Sequence, residues 1–168
     1  PLYHVPLAGA WRQALERVPF IVSFSPYRDE TSHYADLILP DSTFLENWFY
    51  EVLEPSLGYP AVGLGQPVIE PLGDTRNFGD VLIGLAKAIG GPLGVALPWD
   101  SFLEALQARL RGLFESGLGL PLGKKKEEEE EEFSGFWDGL RARGVWYTQP
   151  YEFGRWEEVL TTPSGRFE

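Results

Sequence analysis

The residue types that could support hydrolysis stand closest together between positions 30 and 36. Ser32 and His33 lie between the carboxylates Glu30 and Asp36, and a serine, a histidine and an acid are the parts of a hydrolytic triad. The G-x-S-x-G turn that exposes such a serine does not occur in the sequence. Because the chain has a formal net charge of -11, paired carboxylates are more often surface groups. We therefore predict no catalytic residue here.

Common metal and nucleotide motifs are absent from the sequence. It contains no cysteine and two histidines, which excludes disulfides, thiolate-bound zinc, cysteine-ligated clusters and histidine-rich metal sites within these residues. Neither a G-x-G-x-x-G fingerprint nor a G-K-[ST] phosphate loop occurs. We predict no metal ligand, and the residues alone indicate an α/β piece without a self-contained active site.

The apolar pattern predicts an α/β fold with a partial Rossmann-like sheet, an open parallel sheet with flanking helices, and long irregular segments. Apolar runs over 20–24 and 35–39, the second closed by Pro40, are typical of strands buried on both faces of a parallel sheet. Residues 46–79 are rich in glycine, proline and aromatic side chains. They are predicted as a long surface excursion with one short strand at 66–69.

Amphipathic spacing and end signals predict the helices that flank this sheet. They are expected over 8–18, from a cap at Asp80 to about Ile89, from Ser101 onward, and over 133–144. Three lysines and six glutamates at 124–132 predict a solvated linker or insertion, with an acidic docking segment as the alternative. The aromatic, turn-rich tail from Val145 to Arg166 is expected to lie against another surface rather than to form a core.

The net charge, the lack of a long apolar run and the first residue indicate which partners the chain can have and how it is produced. An acidic chain disfavours nucleic acid as a partner, because the phosphate backbone requires a basic surface. No apolar run approaches the roughly 18 residues that span a bilayer. The chain begins at Pro1 and contains no methionine, so we expect it to be processed or cut from a longer chain.

Four stretches of the sequence together resemble one protein family. They are P-F-I-V-S-F-S at 19–25, the stretch 29–46 with its E-T-x-x-x-A-D-L-I-L-P core at 30–40, the stretch 66–90, and T-P-S-G-R-F-E at 162–168. In this order and spacing they resemble catalytic subunits of molybdopterin-guanine-dinucleotide oxidoreductases, the dimethyl-sulfoxide-reductase superfamily. The resemblance covers nearly the whole chain, and the E-T-x-x-x-A-D-L-I-L-P core is its most specific part.

The resemblance implies a division of the chain. Residues 1–116 would be the C-terminal part of a Rossmann-like cofactor-binding domain. Residues 117–132 would be a charged linker or insertion. Residues 133–168 would be a helix and linker that lead to a C-terminal β-barrel domain, which these residues do not include.

The resemblance also implies a set of cofactor-binding residues, with none that is catalytic or binds a metal. These are Phe24, Ser25, Asn47, Arg76, Asn77 and Asp80. In the family, the turn at Phe24–Ser25 touches a guanine nucleotide of the cofactor largely through its backbone. Asn47 stands where some members have a lysine. Many members of the family have an acid that binds the guanine, and in this sequence that acid is either missing or displaced to Asp80. Asp80 could instead be a helix cap. Arg76 would either bind a phosphate or form a structural ion pair.

By resemblance, the parent subunit is an oxidoreductase that uses molybdopterin guanine dinucleotide with molybdenum, and an iron–sulfur cluster outside this segment. The implied partners are the rest of the parent subunit, an iron–sulfur electron-transfer subunit and a quinone-reactive membrane subunit in a respiratory complex. The implied location is the exported, periplasmic face of a membrane, with the cytoplasm as the other option. The isolated segment is predicted to be inactive. Two alternatives stay open: a cofactor-free structural or electron-transfer scaffold of the same fold, and an acidic protein-binding module.

Overall fold

The computed structural model describes residues 2–53, 59–125, 132–150, 152–156, 160 and 162–166. The chain divides into two compact units: the first comprises residues 1–47 and 67–102, and the second comprises residues 48–66 and 103–168. Most of the charged run, residues 126–131, lies outside the described residues. The prediction of a solvated linker there stays a prediction.

The first unit is built on a pair of parallel strands with helices before and after it. Its elements are α1 (Ala8–Leu15), β1 (Val22–Phe24), β2 (Leu37–Leu39), α2 (Phe78–Ile89) and α3 (Gly91–Ala96). Val22 pairs with Leu37 and Phe24 with Leu39 in a parallel register. The two apolar runs of the sequence therefore form the predicted parallel pair. The prediction that both faces of these strands are buried is wrong for this pair, because Val22 is 41% and Leu37 is 42% exposed.

Helix α2 is the main helix of the first unit. Its buried side chains, Ile83 and Ala86, stand three residues apart, so they lie on one helical face. The helix ends at Gly90, which has φ 72°, a conformation that glycine adopts without a Cβ penalty. Residues 91–96 form the short helix α3. Pro92 is compatible with a helix there because it lies in the first turn, where its missing N–H has no intrahelical partner.

The second unit contains a four-stranded antiparallel sheet with the strand order β3–β4–β6–β5. Its elements are β3 (Phe49–Leu53), β4 (Ala61–Gly65), α4 (Phe102–Ser116), β5 (Gly119–Pro121), α5 (Phe133–Arg143) and β6 (Val145–Thr148), with the first residue of α4 assigned to the first unit. Strands β3 and β4 lie within the predicted surface excursion, and that prediction is wrong for β4, because Val62 and Leu64 are buried core residues. The short strand expected at 66–69 is also wrong. The fold class is α/β, as predicted.

The core of the second unit lies between this sheet and helices α4 and α5. It consists of Val62, Leu64, Leu106, Leu110, Phe136, Leu140 and Trp146. The pairs on α4 and α5 are spaced by four residues, so each pair lies on one helical face. Trp146 is only 3% exposed, and the prediction that the segment from Val145 forms no core is therefore wrong for β6. None of the described helices is long and apolar enough to cross a membrane.

Candidate cofactor-binding site

The parallel strands of the first unit end side by side. The N–H of Ser25, just after β1, donates to the carbonyl of Leu39 at 3.2 Å. The N–H of Arg76 donates to the carbonyl of Pro40 at 3.2 Å, and Arg76 forms a parallel bridge with Asp41. We call this group the carboxyl edge: residues 24–25, 40–41 and 76. Open α/β sheets bind their ligands at this edge.

Helix α2 starts directly after the carboxyl edge, and side chains occupy its free N–H groups. The Oδ1 atom of Asn77 accepts hydrogen bonds from the N–H of Gly79 at 2.7 Å and of Asp80 at 3.3 Å. The Oδ1 atom of Asp41 accepts from the N–H of Phe78 at 3.0 Å and of Ser42 at 2.9 Å. Because these donors are already used, an anion at this edge must be bound by side chains rather than by the helix terminus.

Asn77, and not Asp80, is therefore the cap of α2. A carboxylate oxygen of Asp80 instead accepts a hydrogen bond of 2.6 Å from the N–H of Phe102, the first residue of α4. One oxygen of Asp80 is thus used within the protein. Sequence patterns could not reveal this bond, since it joins residues 22 positions apart. A role of Asp80 toward a cofactor stays a prediction.

The ring of Phe24 packs beside the start of α2. Its centroid lies 4.7 Å from that of Phe78 in an edge-to-face arrangement, the preferred geometry for an aromatic pair. The side chain of Phe24 is thereby used in packing, so its backbone and that of Ser25 remain the groups that could meet a ligand. The Ser25 hydroxyl donates to the carbonyl of Tyr27 at 2.6 Å, which fixes the turn.

The loop after β2 is held by a buried carboxylate. Glu46 is 7% exposed and accepts hydrogen bonds of 2.5 Å from the N–H groups of Leu72 and Thr43. These bonds, with that from Leu72 the stronger cause, hold the pKa of Glu46 below its usual range. The side-chain amide of Asn47 donates to the carbonyl of Ser42 at 3.1 Å. Asn47 thus lies beside Ser42, the residue that follows Asp41 in the chain.

Arg76 and Thr75 provide hydrogen-bonding groups at the carboxyl edge. The side chain of Arg76 is exposed and forms no ion pair with any described residue, so the alternative of a structural ion pair finds no partner there. The Oγ1 atom of Thr75 is buried and has no hydrogen-bond partner among the described residues. Buried hydroxyls normally have a partner. A ligand that carries phosphate and hydrogen-bonding groups therefore fits the chemistry of this edge.

Sequence reasoning missed Asp41 and Thr75. Asp41 follows directly after the L-I-L-P strand end, and a polar residue at the carboxyl end of a parallel strand is the signal that could have identified it. Its second carboxylate oxygen, Oδ2, has no partner among the described residues. Thr75 gives no such signal, because only the fold reveals that its hydroxyl is buried.

The residues between 29 and 36 do not form a hydrolytic triad. The hydroxyl of Ser32 donates to the carbonyl of Asp29 at 3.0 Å, and the Nδ1 atom of His33 bonds to the same carbonyl at 2.7 Å. A carboxylate oxygen of Asp36 accepts from the N–H of Ile21 at 2.8 Å, which ties β2 to the start of β1. In the described part of the chain, no three metal-binding side chains come together.

Known proteins similar to this chain include subunits of three reductases. The chain is 39% identical over 110 residues, 65% of its length, to the molybdopterin-binding-like subunit of menaquinone reductase from Nitratidesulfovibrio vulgaris. It is 33% identical over 100 residues, 60% of its length, to the molybdopterin-containing subunit of thiosulfate reductase from Salmonella typhimurium. It is 28% identical over 171 residues, 93% of its length, to the molybdopterin-containing subunit of arsenate respiratory reductase from Shewanella.

The similarity covers a limited part of each relative. The matched stretches correspond to 15%, 13% and 20% of those three proteins. No family model matches the chain. The chain is nevertheless similar, over most of its length, to a segment of molybdopterin oxidoreductase subunits, which confirms the resemblance found in its motifs.

Proposed function

We propose that this chain is a segment of a molybdopterin oxidoreductase subunit, and that its carboxyl edge binds the guanine nucleotide end of the cofactor. The observation that carries the proposal is the exposed guanidinium of Arg76, which has no ion-pair partner among the described residues and lies beside the ends of two parallel strands. The similarity to molybdopterin-containing subunits supports it. The position agrees with the general rule for ligand binding by open α/β sheets.

The described residues would divide the binding between them. Arg76 can present two parallel N–H donors to a phosphate. The Oδ2 atom of Asp41 can accept from the N–H groups of a guanine, while the N–H groups that bind Oδ1 hold the carboxylate in place. The backbone at Phe24–Ser25 would complete the site. When bound, the cofactor would supply the two-electron oxidation–reduction chemistry.

The setting of the parent protein forms part of the proposal. It would carry an iron–sulfur cluster outside this segment and act in a respiratory complex with an iron–sulfur subunit and a quinone-reactive membrane subunit. Its location would be the exported face of a membrane. Residues 1–116 would end the Rossmann-like domain, and residues 133–168 would lead to a β-barrel domain. The segment alone would be inactive.

One observation keeps a second candidate function open. The relative with 39% identity is named a molybdopterin-binding-like subunit, whereas the other two are named molybdopterin-containing. The alternative is a cofactor-free structural or electron-transfer scaffold of the same fold. The two functions differ in one measurable property, which is the presence of a pterin on the native polypeptide.

The proposal is tested by replacing Arg76 in the native-length polypeptide that carries these residues. A hydrogen bond to a charged group contributes about 1.5–3 kcal/mol, so Arg76→Gln should weaken cofactor binding by about 10-fold to 100-fold. The readout is the amount of guanosine monophosphate that acid releases from each purified polypeptide. Arg17→Gln is the matched control, since Arg17 is an exposed arginine of the same unit outside the carboxyl edge. Equal nucleotide content in both variants would contradict the proposal.

A further inference from the structure

The first unit contains an open pocket of about 720 Å³ outside the carboxyl edge. The start of the chain, helix α1 and the loop over residues 28–34 form its walls. Pockets that bind small molecules commonly have volumes of about 300–1,000 Å³. The pocket is therefore large enough for a small organic molecule, and it shares no lining residue with the carboxyl edge.

Short-range hydrogen bonds fix the loop that lines this pocket. The Oδ1 atom of Asp29 accepts from the N–H of Ser32 at 2.7 Å and of Thr31 at 3.1 Å. The N–H of Leu2 donates to the hydroxyl of Thr31 at 2.8 Å, which ties the start of the chain to the loop. The walls are thus ordered before any ligand binds, and binding would lose little conformational entropy.

Two arginines line the pocket. Arg12 of α1 and Arg28 of the loop both line it, and neither forms an ion pair with a described residue. This holds although Asp29 and Glu30 line the same pocket. One oxygen of Asp29 is already used by the backbone of its own loop. In a chain of net charge -11, these two guanidinium groups share a pocket, have no carboxylate partner in the described part of the chain, and so remain available to an anion.

His33 and Tyr34 add hydrogen-bonding groups to the same pocket. The Nδ1 atom of His33 lies 2.7 Å from the carbonyl of Asp29. A carbonyl oxygen can only accept, so Nδ1 carries the proton, and Nε2 is left as the second polar atom of the ring. The hydroxyl of Tyr34 has no hydrogen-bond partner among the described residues. Both groups can bind the oxygen atoms or hydroxyl groups of a ligand.

We propose that this pocket binds a small organic oxyanion, a phosphate ester or a carboxylic acid, through Arg12 and Arg28. Each guanidinium presents a planar set of donors that matches two oxygens of a phosphate or carboxylate. A metal ion is a poorer occupant, because the two arginines repel it. In addition, Asp29, Glu30 and His33 do not converge into a metal-binding group within the described structure.

The test is a calorimetric titration of the native-length polypeptide that carries these residues with inorganic phosphate and, separately, with succinate. The expected result is saturable binding of at least one of the two. Arg12→Gln and Arg28→Gln should each weaken that binding by about tenfold or more, since each removes a charged hydrogen-bonding partner. Arg17→Gln is the matched control, because Arg17 is exposed near the end of α1 and does not line the pocket.

The two ligands distinguish the two classes of oxyanion that the pocket could bind. Preferential binding of phosphate identifies a phosphate ester, and preferential binding of succinate identifies a carboxylic acid; either result supports the site. Arg12→Lys and Arg28→Lys keep the charge and should bind more weakly than the unaltered chain and more tightly than the glutamine variants. Absence of saturable binding by both ligands would overturn the proposal, as would an equal loss in Arg17→Gln.

Discussion

Two glycines of helix α2 should respond in opposite directions to the same substitution. Gly79 lies in the first turn of the helix, and Gly84 lies in its exposed middle. Alanine favours a helix over glycine by about 1 kcal/mol, because glycine loses more backbone freedom on folding. The local surroundings decide whether this gain is realised.

A methyl group has no space at Gly79. A Cβ atom there would lie 2.3 Å from Cδ2 and 2.7 Å from Cγ of Phe102, and 2.9 Å from the Oδ1 atom of Asn77. The ring and the capping side chain must both move. Overpacking costs about 1–3 kcal/mol, and loss of an N-cap costs about 1 kcal/mol. After the helix-propensity gain is subtracted, Gly79→Ala should destabilise α2 by about 1–3 kcal/mol.

Gly84 is the matched control. A Cβ atom at this position meets no heavy atom within 4 Å, so Gly84→Ala should stabilise the helix by about 0.5–1 kcal/mol. Native-state hydrogen exchange of peptides that cover α2 measures the free energy of opening of this helix in each variant. The packing argument is refuted if Gly79→Ala protects α2 as well as Gly84→Ala does.

Three further predictions concern the loop, the cap and the second unit. Asn77→Ala should cost about 1 kcal/mol in α2, measured by the same exchange experiment, because it removes the acceptor of two helix N–H groups. Glu46 has a lowered pKa in the folded state, so its stabilising effect is complete above its unfolded-state pKa and disappears as the pH falls through the folded-state value. The free energy of unfolding in urea should therefore be measured at about pH 6 and about pH 3. Glu46→Gln should lower it at about pH 6 and change it little at about pH 3; an equal loss at both pH values would contradict this prediction. The buried indole N–H of Trp146 has no partner among the described residues, so Trp146→Phe should cost well under the roughly 3–5 kcal/mol of Trp146→Ala in thermal unfolding; similar losses would contradict it.

The first unit could be predicted from the sequence where local patterns are strong. The apolar run that contains β1 and the A-D-L-I-L-P segment that contains β2 are short, almost continuous and bounded by proline or polar residues. Such runs specify strands of a parallel pair without knowledge of distant residues, but not their burial, since Val22 and Leu37 are 41% and 42% exposed. The position of helix α2 is equally local, but its buried face is not: the apolar spacing favours Leu85 and Ile89, which are 53% and 64% exposed, whereas Ile83 is buried.

The sheet of the second unit could not be predicted, because its pairing is not local. Strand β4 carries Gly63 and Gly65, and glycine weakens the strand signal. The structure gives a reason for Gly65: a Cβ atom there would lie 2.2 Å from the ring of Phe49 in the neighbouring strand. Trp146 becomes a core residue only because β6 pairs with β4, more than 80 positions earlier in the chain.

The candidate site was reached through resemblance, and its details came from the fold. The motifs led to Phe24, Ser25 and Arg76, which the structure brings to one edge. Asp41 was missed because its importance depends on a hydrogen bond to Phe78, 37 positions away. For the same reason the local pattern gave the wrong cap for α2, since the carboxylate of Asp80 is bound to a distant N–H.

The central claim is that this chain is a cofactor-binding segment of a molybdopterin oxidoreductase subunit. The most direct measurement isolates the native polypeptide that carries these residues, identifies it by mass spectrometry, and measures the pterin and guanosine monophosphate that acid releases from it. The proposal predicts a polypeptide several times larger than 18.9 kDa that yields both the fluorescent oxidised pterin and the nucleotide. A purified, folded native polypeptide that yields neither would contradict it, and would favour the cofactor-free scaffold.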